Sequence, residues 1–237
     1  MKKLDVVIPV YNEEKILAKS ISELHSYLEK SMGHYDWRIV IADNASLDNT
    51  INVAKELSQT YSRVSHIHLD QKGRGRALRQ AWMQSDADIL TYMDVDLSTR
   101  LGAFPPLVQA LSMGHDVATG TRLSKHSCTT RSFSREALSR GYNILVKLFL
   151  QTSFSDAQCG FKGITREAAA QLIPAIKDNG WFFDTELLTL AQKKGFRLYE
   201  IPVTWVEDPD SRVRIAKTIA QYIRDLFRLR IDLLRMR

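Results

Sequence analysis

Residues 4–14 read LDVVIPVYNEE, and this stretch decides the fold class. An apolar run ends at a polar turn, and two glutamates then favour the start of a helix. The pattern of strand, polar turn and helix recurs, with further strands predicted at 38–42, 64–69 and 89–93. Strands that are apolar throughout and alternate with helices predict an α/β fold with a mostly parallel sheet covered on both faces.

Three polar segments begin where these strands stop: 11–14, 43–46 and 94–96. Ligands of such sheets bind beyond the carboxyl ends of the strands, so these segments are candidates for one site. Asp94 and Asp96 have the chemistry to hold a hard divalent cation, Mg²⁺ or Mn²⁺, together with diphosphate oxygens of a nucleotide. The plainer alternative is an aspartate pair that caps a helix or is solvated at a turn.

The other two segments offer groups that suit a nucleotide. Tyr11 provides a surface for a base, Glu13 an acceptor for ribose hydroxyls, and Asp43 an acceptor for a base N–H. The same residues also make good turn and cap chemistry. The segment 72–76, KGRGR, either approaches donor phosphates through backbone N–H groups or forms a turn with solvated charges.

The second half is less regular. Strands are predicted at 116–120, 159–164 and 197–203, and helices at 135–150 and 185–194, with a basic loop at 121–134. No repeat or flexible linker is visible, which favours a single domain. Arg135 and Ser139 are four residues apart, so they share a helix face and suit the binding of one phosphate, as does Arg122; a solvated helix side is the alternative.

Composition and charge narrow the class of protein. The 237 residues are 44% hydrophobic and 25% charged, which excludes a disordered chain. Two cysteines make no disulfide framework and favour a reducing compartment. The net charge of +6 matches the eight basic and two acidic residues of 212–237, so the rest of the chain is neutral and no nucleic-acid footprint is expected.

The tail predicts a basic amphipathic helix at 214–237. Its apolar face holds Ile215, Ile219, Tyr222, Ile223, Leu226 and Leu233, and its basic face holds Arg214, Lys217, Arg224, Arg228 and Arg235. Such a helix either lies on an anionic membrane or docks on the core, a partner or a second subunit, as in a homo-oligomer. No stretch approaches the roughly 20 apolar residues of a membrane span, and no secretory signal is visible. We therefore expect a cytoplasmic protein, peripheral at the cytoplasmic face of a membrane.

Several segments together resemble one family. These are VVIPVYNEE (6–14), IADNASLDNT (41–50), KGRGRA (72–77), DVD (94–96), GTR (120–122), REALSRGYN (135–143), DAQCGFK (156–162), WFFDTELL (181–188) and EIPVTW (200–205). The chain is similar, over most of 4–213, to inverting family 2 glycosyltransferases of GT-A fold. Within them it looks closest to the enzymes that glucosylate or mannosylate dolichyl and other polyprenyl phosphates.

The resemblance implies a site, residue by residue. Donor contacts are implied at Pro9, Tyr11, Glu13, Ile41, Asp43, Asp94, Val95 and Asp96, with Asp94 and Asp96 also the catalytic metal ligands. Acceptor-phosphate contacts are implied at Arg122, Arg135, Ser139 and Arg212. Relatives often show Asp where Ala42 stands and Gln where Ser98 stands, so a third protein ligand to the metal is in question. The implied domain is 1–213, with a donor half of about 1–120 and an acceptor half of about 121–213.

The implied reaction moves a hexose from UDP-glucose or GDP-mannose to a polyprenyl phosphate. A phosphate monoester, with a second pKa of about 6, is already nucleophilic near neutral pH and needs no general base. Two alternatives stay open. A saccharide hydroxyl acceptor would need a base, for which Asp184 and Glu186 are the candidates, and a non-catalytic scaffold would use only the tail at membranes.

Overall fold

The computed structural model describes residues 1–207 and a helix at 215–235, in which side chains are described from 221 onward. Nine strands are described: β1 (Lys3–Val10), β2 (Asp36–Asp43), β3 (Val64–His68), β4 (Ile89–Met93), β5 (Val117–Thr121), β6 (Cys128–Thr130), β7 (Phe161–Thr165), β8 (Leu198–Pro202) and β9 (Thr204–Val206). Eight α-helices are described: α1 (Leu17–Ser31), α2 (Thr50–Thr60), α3 (Arg74–Gln84), α4 (Phe104–Ser112), α5 (Phe133–Leu150), α6 (Arg166–Leu172), α7 (Phe183–Lys193) and α8 (Ile215–Arg235).

Seven strands form one sheet in the order β3-β2-β1-β4-β7-β5-β8. Its strands are parallel except β7, which runs antiparallel to both β4 and β5. The predicted α/β fold with a mostly parallel sheet is confirmed. The sequence pattern did not reveal the short parallel pair β6–β9 or the helix α6.

Helices cover both faces of the sheet, because neighbouring strand residues point to opposite sides. Val6 and Ile8 contribute to a core with α1, α2 and α4. Val7 belongs to the core on the other face, with α3, α5, α6, α7 and α8. Both faces of the central strands are therefore buried, which explains their continuous apolar runs.

The backbone is unusual at the carboxyl edge of the sheet. In the described chain, four non-glycine residues have a left-handed backbone, and three of them follow the ends of β1, β2 and β4: Asn12 (φ 55°), Ala45 (φ 59°) and Leu97 (φ 50°). This conformation is unfavourable for residues with a Cβ and is concentrated at functional sites. The three segments singled out in the sequence thus share an uncommon turn geometry.

Helix α8 docks on the core rather than standing away from it. Leu226 and Leu233 of its predicted apolar face are buried, as is Leu229. The Tyr222 ring lies 5.0 Å from that of Tyr142. Ile223, predicted on the same face, is exposed, and the predicted Ile215 and Ile219 side chains and residue Arg214 lie outside the described residues. None of the helices in the described ranges is long and apolar enough to cross a membrane.

Candidate active site

The turns after β1 and β2 are joined by hydrogen bonds. Val10 and Asp43 are paired across the two strands. The Asn12 amide donates to Ser46 Oγ (3.0 Å), and the Glu13 amide donates to Thr50 Oγ1 (2.8 Å). Parallel pairing and these bonds bring the first two predicted segments to one place on the sheet edge.

Asp94 and Asp96 lie beside these turns, because β4 pairs with β1. Asp94 is half-buried and Asp96 is exposed. The Asp96 Oδ1 atom accepts a hydrogen bond from the Ser98 amide (2.9 Å). Ser98 lines the same small hollow as both aspartates, and Gly160 and Trp205 line it as well.

The two carboxylates fit a divalent cation that takes its remaining ligands from substrate. Within residues 1–207 and the described part of α8, no cluster of three His, Cys, Asp or Glu side chains could hold a metal alone. Mg²⁺ and Mn²⁺ are commonly held by one or two carboxylates together with water and phosphate oxygens. Gly160 leaves room for this arrangement, since a Cβ there would lie 1.8 Å from Asp94 Oδ2.

The predicted donor residues differ in accessibility. The Lys72 ammonium stands 3.2 Å from the centre of the Tyr11 ring, so this aromatic surface carries a cation. Asp43 is fully buried and bonds His68 Nδ1 at 2.6 Å. Ile41 and Val95 pack in the core, which leaves only their backbone atoms to meet a donor. Pro9 is half-buried in β1.

Arg74 is the site residue that sequence reasoning missed. The alternative of a turn with solvated charges at 72–76 is wrong at this position, because Arg74 is buried. Its Nη2 donates to Asp94 Oδ1 (2.8 Å), and its Nη1 donates to Asp184 Oδ2 (2.6 Å). The rings of Tyr92 and Trp181 lie 4.9 and 5.0 Å from its guanidinium carbon. Nothing in the sequence around Arg74 indicated that its side chain would be buried between two aspartates.

Asp184 lies at the centre of a buried charge network. It accepts hydrogen bonds from Arg74 and from the Tyr92 hydroxyl, and Lys162 Nζ is 3.4 Å from its Oδ1. Burial raises the pKa of this carboxyl, but Lys162 and Arg74 outweigh that effect and lower it. Asp184 is therefore an ionised structural partner of two buried cations.

Glu186 is also occupied. The amides of Lys177 and Asp178 donate to its two oxygens, and Arg228 of α8 binds both oxygens at 3.1 and 3.0 Å. The carboxylate is buried under the tail helix. Neither of the two candidate bases for a hydroxyl acceptor is open to a substrate in this arrangement.

Arg122 forms a buried pair with Asp156. Its Nε and Nη2 donate to the two carboxylate oxygens (2.8 and 2.9 Å), and its amide donates as well (3.0 Å). Burial raises the pKa of Asp156, and Arg122 more than reverses this, so the pKa falls to about 2. The guanidinium that was predicted to contact the acceptor phosphate thus holds a protein carboxylate.

Arg135 and Ser139 both lie on α5, but their side chains have different surroundings in this structure. Arg135 forms an ion pair with Glu207, whose other oxygen accepts from the Ser132 amide at the start of α5 (2.9 Å). Ser139 Oγ is buried and has no hydrogen-bond partner among the residues that the structure describes. The fourth predicted acceptor residue, Arg212, lies outside the described residues.

Strand β9 brings the start of helix α5 close to the aspartates. On one side it pairs with β6, and on the other it bonds the turn after Asp96, through Val206 N to Ser98 O (3.0 Å) and Arg100 N to Thr204 O (3.0 Å). Glu207 follows this strand directly. A groove of about 420 Å³ is lined by Asp96, Arg100 and Glu207, and by Lys19 of α1.

Comparison with known proteins identifies the family of this chain. The model of glycosyl transferase family 2 matches residues 5–173. The chain belongs to glycosyl transferase family 2. It is therefore a glycosyltransferase, and the GT-A fold expected from the sequence is confirmed.

Relatives and solved structures agree with this assignment. The chain is 36% identical to glycosyltransferase AglD of Haloferax volcanii over 92% of its length, but spans only 35% of that protein. It is 33% identical to the human dolichyl-phosphate β-glucosyltransferase, covering 97% of the chain and 75% of the relative. The glucosyl-3-phosphoglycerate synthase of Mycobacterium tuberculosis, solved with Mn²⁺ and UDP-glucose, superposes with a TM-score of 0.70 at 17% identity, covering 98% of this chain and 79% of that one.

Proposed function

We propose that this glycosyltransferase moves a hexose, with inversion, from a nucleotide diphosphate sugar to a polyprenyl or dolichyl phosphate. The observation that carries the proposal is the groove shared by Asp96 and Glu207, because Glu207 holds Arg135. The proposed cation ligand Asp96 and the carboxylate that pairs with Arg135 thus line the same groove. The similarity to dolichyl-phosphate β-glucosyltransferases supports a lipid phosphate as the acceptor.

The donor binds, in this proposal, along the edges of β1, β2 and β4. Tyr11 offers a face to the base, and Glu13 offers an acceptor for the ribose. Asp43 is buried and bonded to His68, so its proposed contact with the base requires this turn to open. UDP-glucose is favoured over GDP-mannose, because the dolichyl-phosphate relatives are glucosyltransferases and the solved neighbour holds UDP-glucose. Asp94 and Asp96 would hold a divalent cation, Mn²⁺ in that neighbour, which would supply positive charge to offset the charge on the departing diphosphate.

The transfer needs positioning more than proton removal. A phosphate oxygen of the acceptor forms the new bond to the anomeric carbon from the face opposite the diphosphate, and the bond from that carbon to the leaving oxygen breaks. The acceptor dianion carries no proton that must be removed. Arg135 has the charge to hold this anion against the repulsion of the donor diphosphate. In doing so, Arg135 exchanges its half-buried partner Glu207 for the acceptor, and buried Ser139 Oγ gains its missing partner. Arg122 is occupied by Asp156 in this structure, so its proposed contact with the acceptor requires that pair to open.

The structure gives the saccharide alternative little support. Asp184 and Glu186, the candidate bases, are buried and occupied by cations. A non-catalytic scaffold is opposed by family membership and by the retained pair of aspartates. The same proposal divides the domain at about residue 120 and ends it at 213. It also includes a homo-oligomer and a peripheral position at the cytoplasmic membrane face. Two unpaired cysteines agree with the reducing compartment.

The decisive experiment supplies the purified protein with Mg²⁺ or Mn²⁺, a short polyprenyl phosphate and, in turn, UDP-glucose and GDP-mannose. A lipid-linked hexose formed from UDP-glucose is the expected product. The Asp96→Ala variant should yield none while unfolding at the same temperature, because this side chain is exposed. Transfer to free sugars but not to the lipid phosphate would favour the hydroxyl acceptor instead.

A further inference from the structure

The exposed side of α5 is apolar. Leu138, Leu145 and Leu148 are between 44 and 74% exposed, and Ile144 lies on the same side. Positions 137 and 141 between them are Ala and Gly, so the face carries no polar side chain over almost three turns. The opposite side of the helix, with Val146 and Leu150, is buried in the core. Helix α5 thus presents apolar side chains to both the protein and the outside.

Helix α8 has a second apolar stripe on its outer side. Ile223, Phe227, Ile231 and Leu234 are each 45–54% exposed and recur at intervals of three or four residues. They are not the residues that dock the helix, since Leu226, Leu229 and Leu233 do that. Each helical residue turns the chain by about 100°. The outer stripe therefore lies between Arg230 on one flank and Arg224 and Arg235 on the other.

The two stripes adjoin. The rings of Phe149 and Phe227 meet edge to face with centroids 4.7 Å apart, which joins α5 to α8 at the border of both exposed faces. We call the eight exposed residues the two-helix apolar surface: Leu138, Ile144, Leu145 and Leu148 of α5, and Ile223, Phe227, Ile231 and Leu234 of α8. Exposed apolar side chains in one continuous patch mark an interaction surface.

The charges around this surface identify its partner. Among the described residues of α5 and α8, the three carboxylates are turned away or neutralised: Asp225 is buried, Asp232 pairs with Lys177 and Arg228, and Glu136 pairs with Arg131 and Arg140. Within the described parts of α5 and α8, the flanking arginines therefore have no counter-charge on this side. An apolar stripe bordered by cations is the pattern of helices that lie in an anionic membrane interface.

We propose that the two-helix apolar surface is the membrane-docking surface of this enzyme, with an anionic lipid bilayer as its partner. The inference rests on the proposed lipid acceptor and deepens it, because α5 carries both this surface and the acceptor residues Arg135 and Ser139. Docking through α5 places the site at the depth of a lipid headgroup. A second copy of the chain fits less well, because a symmetric contact would bring the same arginines together.

The test measures binding to vesicles of phosphatidylcholine alone or mixed with phosphatidylglycerol, by flotation. The wild-type protein should bind the anionic vesicles. The double variant Leu148→Asp, Ile231→Asp should bind at least about tenfold more weakly, because two apolar side chains that would enter the interface are replaced by charged ones. The matched control, Met83→Asp with Met113→Asp, adds the same charge at exposed residues of other elements and should bind like wild type. Arg224→Gln with Arg230→Gln should reduce the preference for anionic vesicles.

The outcomes separate this inference from the proposed function. Unchanged vesicle binding by the Leu148 and Ile231 variant overturns the docking surface even if transfer to lipid phosphate is observed. Loss of binding supports the surface even if no transfer is found. If the wild type does not bind vesicles but forms a dimer in sedimentation velocity, and if this variant is a monomer, the surface would be assigned to a second copy. Circular dichroism and urea unfolding of each variant confirm that the fold is retained.

Discussion

Asp94 and Gly160 fit together with no space for another atom. The Asp94 amide donates to the Gly160 carbonyl (3.2 Å), and a Cβ on Gly160 would lie 1.8 Å from Asp94 Oδ2. Gly160 comes from the second half of the chain, just before the antiparallel strand β7. The position of the first aspartate is therefore set by a residue more than sixty positions away.

Gly160→Ala should reduce transfer by about a hundredfold or more, because a displacement of the carboxylate by about 1 Å is enough for such a loss. The measurement is kcat with saturating cation and donor. Gly141→Ala is the matched control, since a Cβ there meets nothing within 4 Å. That control should keep its activity and gain about 1 kcal/mol of stability, because alanine is the better helix residue. Normal turnover by the Gly160 variant would mean that Asp94 does not need this position.

Asp184→Asn should destabilise the fold by about 3–5 kcal/mol, because it leaves Arg74 and Lys162 buried without their shared anion. Urea unfolding measures the change. Asp86→Asn, at a carboxylate that is mostly exposed and pairs with Lys3, should leave the free energy of unfolding nearly unchanged, because solvent screens this pair. Equal effects of the two substitutions would contradict the network described around Asp184.

The Asp156–Arg122 pair should make stability depend on pH in acid. The folded pKa of Asp156 is about 2, below the 3.8 of an unperturbed aspartate, so its contribution is present above about pH 4 and lost as the pH falls through 2. The difference of nearly two pKa units corresponds to about 2 kcal/mol. In urea unfolding at several pH values, the gap between wild type and Asp156→Asn should be constant from pH 5 to 7 and shrink below pH 4. A gap that stays constant to pH 2 would assign no ionic role to Asp156.

Arg135→Ala should raise the KM for the lipid phosphate by at least about tenfold and leave the KM for the donor within about twofold, because one charge-assisted contact contributes about 1.5–3 kcal/mol. Steady-state kinetics with each substrate varied in turn test this. Arg197→Ala is the control. Arg197 is exposed and pairs with Asp116, which precedes β5, whereas Arg122 follows the opposite end of that strand. A change confined to the donor KM would remove Arg135 from the acceptor site.

The sequence was sufficient for the main sheet and for the finding that three strand-end segments lie at one edge of it. Apolar runs located β1, β2, β3 and β4 closely, because strands buried on both faces leave no polar interruptions. The rule that ligands bind at the carboxyl ends of such strands then brought Tyr11, Asp43 and Asp94 together. The long-range partners could not be predicted, because no local pattern records them. Arg122 and Asp156 are 34 residues apart, and Arg74 and Asp184 are 110 apart.

The tail shows the same limit in another way. Helical periodicity correctly predicted an amphipathic helix, but α8 has apolar side chains on more than one side. Tyr222, Leu226 and Leu233 of the predicted face pack on the protein, whereas Ile223 of the same face is exposed. Only the three-dimensional arrangement separates the residues that dock the helix from those left for a partner.

Strand β7 has a mechanical consequence. It lies between β4 and β5 and pairs with both, so the two halves of the enzyme share one hydrogen-bonded sheet. A hinge between the parts of the chain before and after residue 120 would have to break that ladder, so the proposed site lies at the edge of a continuous sheet. A chain severed after residue 120 would lose β7, the strand that lies between β4 and β5 and pairs with both.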